Sequence, residues 1–280
     1  MCIARPTRGR PGQGGFTLIE LILVMVLVGI LAAVSVTFIL PPFQAAADLE
    51  RRAALVDSAD LALNRMTREA RSALPNSVRV SPDNQQVEFV TTLTGGRYRR
   101  LPTPGDNSDP FVPAQSSGSF DVLGGLIDAD EVQERDAGRS CGYGNGHCLS
   151  VYNTGQPGFD VYSGQNIAAI TNASSGSISY DSGGSDPAFA THSPNQRFYV
   201  VDTVVSYVCE GNQLLRFSDY GIDSSPSGSP ALVTGNIESC QFSYAEGTSA
   251  RRGLLTLRLD LADGGEQIFL VAQAQVLNSP

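Results

Sequence analysis

The sequence predicts an α+β chain: a long N-terminal α-helix, with a membrane-spanning half and an amphipathic half, packed on a β-rich globular domain of antiparallel sheets. Three observations carry this expectation. Residues 16–40 are an almost unbroken apolar run holding one charge, Glu20. Residues 41–75 continue with helical periodicity. From residue 76 the chain turns to short β-like runs separated by Gly, Pro, Ser and Asp. The expected divisions are a basic leader (1–15), an apolar helix (16–40), an amphipathic helix (41–75) and a β-rich domain (76–280).

The apolar run comes first. Its 25 residues reach roughly 37 Å as a helix, enough for a hydrocarbon core of about 30 Å. A carboxylate inside such a span costs about 2.5–3.5 kcal/mol on insertion scales. Glu20 therefore either snorkels to the interface or pairs with a cation on a neighbouring subunit. The preceding segment, Met1 to Gly15, holds Arg5, Arg8 and Arg10 and no acid. Positive charge there retains the N-terminus in the cytoplasm and sends the remainder outward. A secretory signal would place small residues after a shorter apolar core. Here Gly12, Gly14 and Gly15 precede it, so a cut between Gly15 and Phe16 removes the leader and keeps the whole helix. Cys2 has no apolar stretch before it and does not fit a lipoprotein.

Gly15-Phe16-Thr17-Leu18-Ile19-Glu20 resembles the prepilin processing motif of type IV pilins and of the pseudopilins of type II secretion. The resemblance implies cleavage after Gly15 by a prepilin peptidase, N-methylation of Phe16, and pairing of Glu20 with the Phe16 amine of an adjacent subunit. It also implies the pilin lollipop fold, inner-membrane anchoring with the C-terminal domain in the periplasm, and later residence in a pilus or pseudopilus. The partners implied are other minor and major pilin-like subunits, the inner-membrane assembly platform, and lipid before assembly.

Pro41-Pro42, at the membrane exit, is expected to kink or interrupt the helix. Beyond it Leu49, Ala53, Val56, Leu63, Met66, Ala70 and Leu74 recur near helical spacing as one apolar stripe. Arg65 lies one turn from Glu69, and Pro75-Asn76 is the expected stop. Strands are expected at Val87–Thr92, Phe198–Asp202 and Thr203–Val208. Leu254–Leu261 alternates Leu with polar residues, Asp263-Gly264-Gly265 turns, and Ile268–Leu277 returns as a hairpin. The polar tracts at 102–119, 171–195 and 223–230 read as surface loops, the second polar enough for partial disorder. Arg97, Arg99 and Arg100 read as a solvated hairpin end after Gly95-Gly96.

Further segments narrow the resemblance. The run from Asn64 through Val80, Val151-Tyr-Asn-Thr-Gly, Val205-Ser-Tyr-Val-Cys with Leu215-Arg216, and the closing hairpin with Asn278-Ser-Pro are similar to the MshO-type proteins of mannose-sensitive haemagglutinin (MSHA) pilus biogenesis. Those in turn resemble J-type minor pseudopilins and large minor pilins. This implies assembly of an MSHA-like type IV pilus, at initiation or in the tip complex. The alternatives are a minor pseudopilin of type II secretion and a pilus-tip adhesin. Pilins often carry a proline inside the apolar helix, whereas this chain has Pro41-Pro42 at its end.

Removing the leader takes the 19 cations to 16 against 28 acids, a net charge of −12, and every cation is Arg. That balance argues against a nucleic-acid partner. Four cysteines remain: Cys141, Cys148, Cys209 and Cys240. An even number in an exported chain favours disulfides. Three pairings are open. Cys141 and Cys148 enclose a Gly-rich hexapeptide suited to a small closed loop, and Cys209 and Cys240 sit in strand-like surroundings suited to stapling neighbouring strands. A zinc site through His147 fits no usual spacing. No nucleotide-binding glycine pattern, nucleophile elbow or zinc-protease helix occurs, and His147 and His192 lie among polar loop residues, so no enzyme and no cofactor are expected. Calcium is the open alternative. Asp106-Asn107-Ser108-Asp109 and the cluster Asp128, Asp130, Glu131, Glu134 and Asp136 offer oxygen ligands; without helix-loop-helix spacing, both read as solvated loops. Asn172-Ala-Ser174 is a glycosylation sequon where an organism uses one.

Overall fold

The computed structural model describes residues 15–134, 141, 146–222, 225–248, 251–278 and 280, with the side chains of 37–41 excepted. The leader up to residue 14, and Asp136 in the second acidic cluster, lie outside the described residues. The chain divides into two compact units, Met1–Arg51 and Arg52–Pro280.

One helix, α1, spans Leu18–Arg71. It continues through Pro41-Pro42, so of the kink or interruption expected there the interruption does not occur. The two prolines remove two helical hydrogen bonds, but their fixed φ near −65° is itself a helical value. The helix stops at Arg71, short of the expected Pro75, because the next residues are captured by a strand. Ser72 offers its carbonyl to the amide of Thr92 at 2.9 Å, and Leu74 donates to the carbonyl of Val90 at 2.8 Å.

Within Arg52–Pro280 the buried face of α1 is Leu55, Ala59, Ala62, Leu63, Met66 and Ala70, followed by Ala73. Spacings of three and four keep these residues on one side, and the alanines admit close backbone approach. Part of the expected stripe is corrected. Leu49 is 69% exposed and Val56 38% exposed, and Ala53 is exposed. At about 100° per residue Val56 sits roughly 75° from the middle of the buried face, at its flank, and Leu49 roughly 95° from it. Ala53 falls off the face altogether.

Nine strands form one antiparallel sheet: β1 (Arg79–Val80), β2 (Gln86–Tyr98), β3 (Ser117–Leu123), β4 (Cys148–Ser150), β5 (Ile167–Ala173), β6 (Ser177–Asp181), β7 (Arg197–Glu210), β8 (Gln213–Ser218) and β9 (Ala231–Thr234). Their order is β1-β2-β3-β6-β5-β4-β7-β8-β9, with a further pairing of β2 on β7. That extra ladder closes β2, β3, β6, β5, β4 and β7 into a six-stranded ring. All six strands feed one buried cluster that includes Tyr98, Phe120, Leu149, Ile170, Tyr180 and Phe198. The ring is therefore a filled barrel. The other halves of β2 and β7, Gln86–Val90 against Val204–Val208, lie beyond register shifts near Thr92 and extend with β1, β8 and β9 as an open sheet.

Three expectations change here. Gly95 and Gly96 lie inside β2, not at a hairpin end. A Cβ on Gly95 would meet the Phe198 carbonyl at 2.8 Å, and one on Gly96 the Phe198 ring at 2.8 Å. Arg97 is a strand residue, and Arg99 pairs with Asp121 at 3.0 Å. The tracts 102–119 and 171–195 are not mere surface loops: they supply Phe111, Ile178, Tyr180 and Phe189 to the barrel core. Ser177-Ile178-Ser179-Tyr180 alternates small polar residues outward with large apolar ones inward, so its mean polarity hides a strand. Finally, the two strands expected over 198–208 are one, β7.

A second sheet holds β10 (Ile237–Ala245), β11 (Gly253–Asp263) and β12 (Glu266–Val276), in that order. The hairpin pairs Asp263 with Glu266 around Gly264 and Gly265, both at positive φ. Leu255, Leu257, Leu259 and Leu261 all point inward and are fully buried. They share a core with the α1 face and with Val87, Phe89, Val205 and Tyr207 of the larger sheet.

Cys141–Cys148 and Cys209–Cys240 are disulfides, with Cα separations of 6.0 and 6.3 Å. The second joins β7 to β10, strands of different sheets. Loop-closure entropy for its separation of 31 residues is worth about 3–4 kcal/mol, against about 2.5 kcal/mol for the shorter loop. Replacing Cys209 and Cys240 together by Ala should lower unfolding free energy by about 3 kcal/mol in denaturant titration, more than the Cys141/Cys148 pair does.

Burial, ahead of any charge, pushes Tyr98 up to about 12, and raises Tyr162, Tyr207 and Tyr220 as well. A raised folded value means the fold favours the neutral phenol. That stability is complete below about pH 10, the unfolded value, and is lost as pH climbs through the folded values. Denaturation midpoints should hold up to about pH 10 and fall between about pH 10 and 12, with tyrosinate absorbance rising as the fold is lost.

Candidate processing and assembly site

Gly15, Phe16 and Thr17 precede α1 in non-helical conformation. Thr17 then caps the helix. Its carbonyl accepts from the amides of Glu20 at 3.1 Å and Leu21 at 3.2 Å, and its hydroxyl accepts from the Glu20 amide at 3.4 Å. Thr17-Leu18-Ile19-Glu20 thus has the spacing of a capping box, with Glu20 at the third helical position. A carboxylate in the first turn also faces the positive end of the helix dipole. The structure brings Gly15, Phe16 and Glu20 together at the helix head, while the four cysteines lie in the β-rich unit. Thr17 was not among the expected site residues, although Thr-x-x-Glu before an apolar run is a legible start signal.

A Cβ at Gly15 would meet nothing within 4 Å. Nothing in the described chain requires a glycine there. Phe16 is 84% exposed, and every described side chain from Phe16 to Val36 is exposed. Leu18–Val36 is long and apolar enough to cross a membrane. A helix apolar on all sides needs lipid or protein around it.

The remaining candidates have local explanations. His147 accepts from the Gln133 amide at 2.8 Å through Nδ1 and turns Nε2 toward Asp202 at 3.7 Å. Asp106 accepts from the Ser108 amide at 2.9 Å, Asp109 accepts from the Ser119 hydroxyl, and Asn172 donates to Glu134 at 3.1 Å. Among the described residues no three His, Cys, Asp or Glu side chains are grouped to hold a metal. His192 is held below its usual value by burial and then by Arg100, and it stacks on Tyr98.

One polar constellation has no sequence signature. Glu88, buried on β2, accepts from Tyr220 at 2.7 Å, from Ser206 at 3.1 Å, and from Arg79. The Arg79 guanidinium lies 3.1 Å over the Tyr162 ring. Burial opposes its charge, but Tyr162 and Glu88 together raise its pKa. Three donors engage the Glu88 carboxylate, and the cluster ties β1, β2, β7 and the turn at Tyr162 together.

The family model for the prokaryotic N-terminal methylation motif matches residues 10–36. Together with an apolar helix head leading into a helix packed on antiparallel sheets, the match makes this a type IV pilin- or pseudopilin-like protein. No curated protein and no solved structure matches the chain.

Proposed function

We propose that the chain is a minor pilin-like subunit that helps initiate or cap an MSHA-like type IV pilus. In this reading a prepilin peptidase cuts between Gly15 and Phe16, the new Phe16 amine is methylated, and residues 16–40 hold the subunit in the inner membrane with residues 41–280 in the periplasm. The assembly platform then extracts the helix into the filament core among other pilin-like subunits. Cys141, Cys148, Cys209 and Cys240 serve the fold in an oxidising compartment.

The observation that carries the reading is the helix head: a non-helical Gly15–Phe16 junction, then an all-round apolar helix with one carboxylate in its first turn. Moving such a helix from lipid to protein changes little in apolar burial, so specificity has to come from packing and polar pairing. Glu20 makes no ion pair among the described residues. The Phe16 amine of an adjacent subunit supplies the missing cation. The same motif serves type II secretion pseudopilins; neighbouring reading frames for pilus or secretion components separate the two.

Intact-mass measurement of the protein purified from its native host should give a chain starting at methylated Phe16. Retention of residues 1–15 would overturn the proposal. Glu20→Ala should leave cleavage intact yet lower crosslinking to partner subunits at least about tenfold, the factor corresponding to about 1.4 kcal/mol. Normal assembly by that variant would remove Glu20 from the mechanism.

A further inference from the structure

Within Arg52–Pro280, three arginines without an ion pair among the described residues line adjoining clefts. Arg71, in the last turn of α1, lines a cleft of about 580 Å³ with Arg252, Leu254, Gln275 and Leu277. A second cleft of about 370 Å³ adjoins it through Arg252, Leu254 and Gln275 and adds Arg251. None of the three arginines makes an ion pair among the described residues. Every other polar side chain in the two linings is a neutral Gln. Leu277 is 40% exposed at the mouth, and β12 is an edge strand. In a chain of net charge −9, this is a basic cleft with an apolar floor.

Its complement is present on the same chain. After β3, Ile127 stands 72% exposed, followed by exposed Asp128, Asp130 and Glu131. A backbone bond from Glu131 to the Asp128 carbonyl at 3.0 Å turns this corner. None of its three carboxylates is in an ion pair among the described residues. The corner offers one large apolar side chain flanked by acids, and the cleft offers leucines flanked by arginines.

We propose that the cleft at Arg71, Arg251 and Arg252 receives the Ile127–Glu131 corner of a second copy of this chain. Ile127 would meet Leu254 and Leu277 while the acids face the arginines, with electrostatics setting register and apolar contact setting adhesion. Cleft and corner are different surfaces, so the contact is head-to-tail, and the rotation it imposes decides between a ring and an open array. A lipid headgroup fits less well. Arg71 is about 28 Å along the helix from Arg52, which itself follows the apolar segment. The inference uses neither the leader nor Glu20, and it stands apart from the reading of the helix head.

The chain contains no lysine, which gives a direct test on the full chain in detergent micelles. Arg252→Lys introduces the only side-chain amine, and a carbodiimide should couple it to Asp128, Asp130 or Glu131 of another copy, identified by mass spectrometry of the linked peptides. Arg71→Glu with Arg251→Glu should reduce self-association in sedimentation at least about tenfold, as should about 0.5 M salt, where screening shortens to about 4 Å. Adding Asp128→Arg and Asp130→Arg to that variant should restore association. Coupling to other acids would overturn the proposal. So would association indifferent to both reversals and to salt, because the apolar helix alone would then account for it. Saturable binding of a DNA oligonucleotide, lost in the Arg71→Glu/Arg251→Glu variant without any coupling to residues 128–131, would reassign the cleft to nucleic acid.

Discussion

The β-rich unit depends on one helix face that has to satisfy two sheets at once. The nine-stranded and three-stranded sheets share no strand ladder; a backbone bond from Phe242 to the Asn84 carbonyl at 2.9 Å is one point where they meet. What joins them is a common core. Leu55, Leu63 and Met66 of α1 lie among Phe89 and Tyr207 of the larger sheet and Phe242, Leu257 and Leu259 of the smaller. Burying a side chain of this size contributes about 1.5–3 kcal/mol, so the interlocked set outweighs any single polar contact. The Cys209–Cys240 bridge and the Glu69 carboxylate then fix the geometry. Glu69 accepts from Tyr207 at 2.9 Å and from Arg216 at 3.0 Å, on β7 and β8, while Arg65 donates to its other oxygen at 3.2 Å.

The two longest strands of the larger sheet extend this arrangement away from the helix. β2 and β7 are helix-facing over one half and barrel-forming over the other, with register shifts where the roles change. Such shifts bend a ladder and raise its twist, which lets one pair of strands belong to both an open sheet and a closed ring. Gly95 and Gly96 sit on the barrel side, against Phe198, where a side chain would force the two strands apart. The barrel interior is then filled by aromatic contacts, among them Tyr98 on Phe111 at 4.6 Å and Phe120 on Phe198 at 5.4 Å. A filled barrel contributes rigidity and an outer surface. Its inside is occupied by its own side chains.

What the sequence disclosed follows from how local each signal is. The helix, its apolar first half and the leucine hairpin are periodic patterns within one segment, and they are legible. The buried stripe was legible in part: Leu63, Met66, Ala70 and Leu74 are buried, whereas Leu49, Ala53 and Val56 have near-helical spacing but lie to the side of the buried face. Ile178 and Tyr180 were hidden by their serine neighbours, since an average over a window erases a five-residue alternation. The ring closure and the Glu88 cluster join residues more than a hundred positions apart, and no spacing rule encodes them. At the helix head, Gly15, Phe16 and Glu20 were legible because the motif is contiguous. The cap at Thr17 is equally local, three residues before Glu20.

The charges that the described structure leaves unsatisfied point outward. Inside the β-rich unit ionic groups are paired with care: Arg79 with Glu88, Arg99 with Asp121, Arg216 with Glu69. Beside those pairs, an anion in an apolar helix and a cluster of three arginines are two of the charges without an ion pair among the described residues, and they are of opposite sign. A partly desolvated charge without a counterion is costly, and a monomer that kept both for no purpose would gain by replacing them with neutral residues. An assembling subunit differs, because each such charge becomes favourable only when a neighbour arrives. Glu20 sits in a helix whose surroundings must be lipid or protein, and in the proposed function its partner is brought by another chain. The arginine cleft faces water, where screening makes it tolerable alone and selective on contact. The first can specify insertion of a helix and the second can orient a domain, so that neither requires the other to have formed.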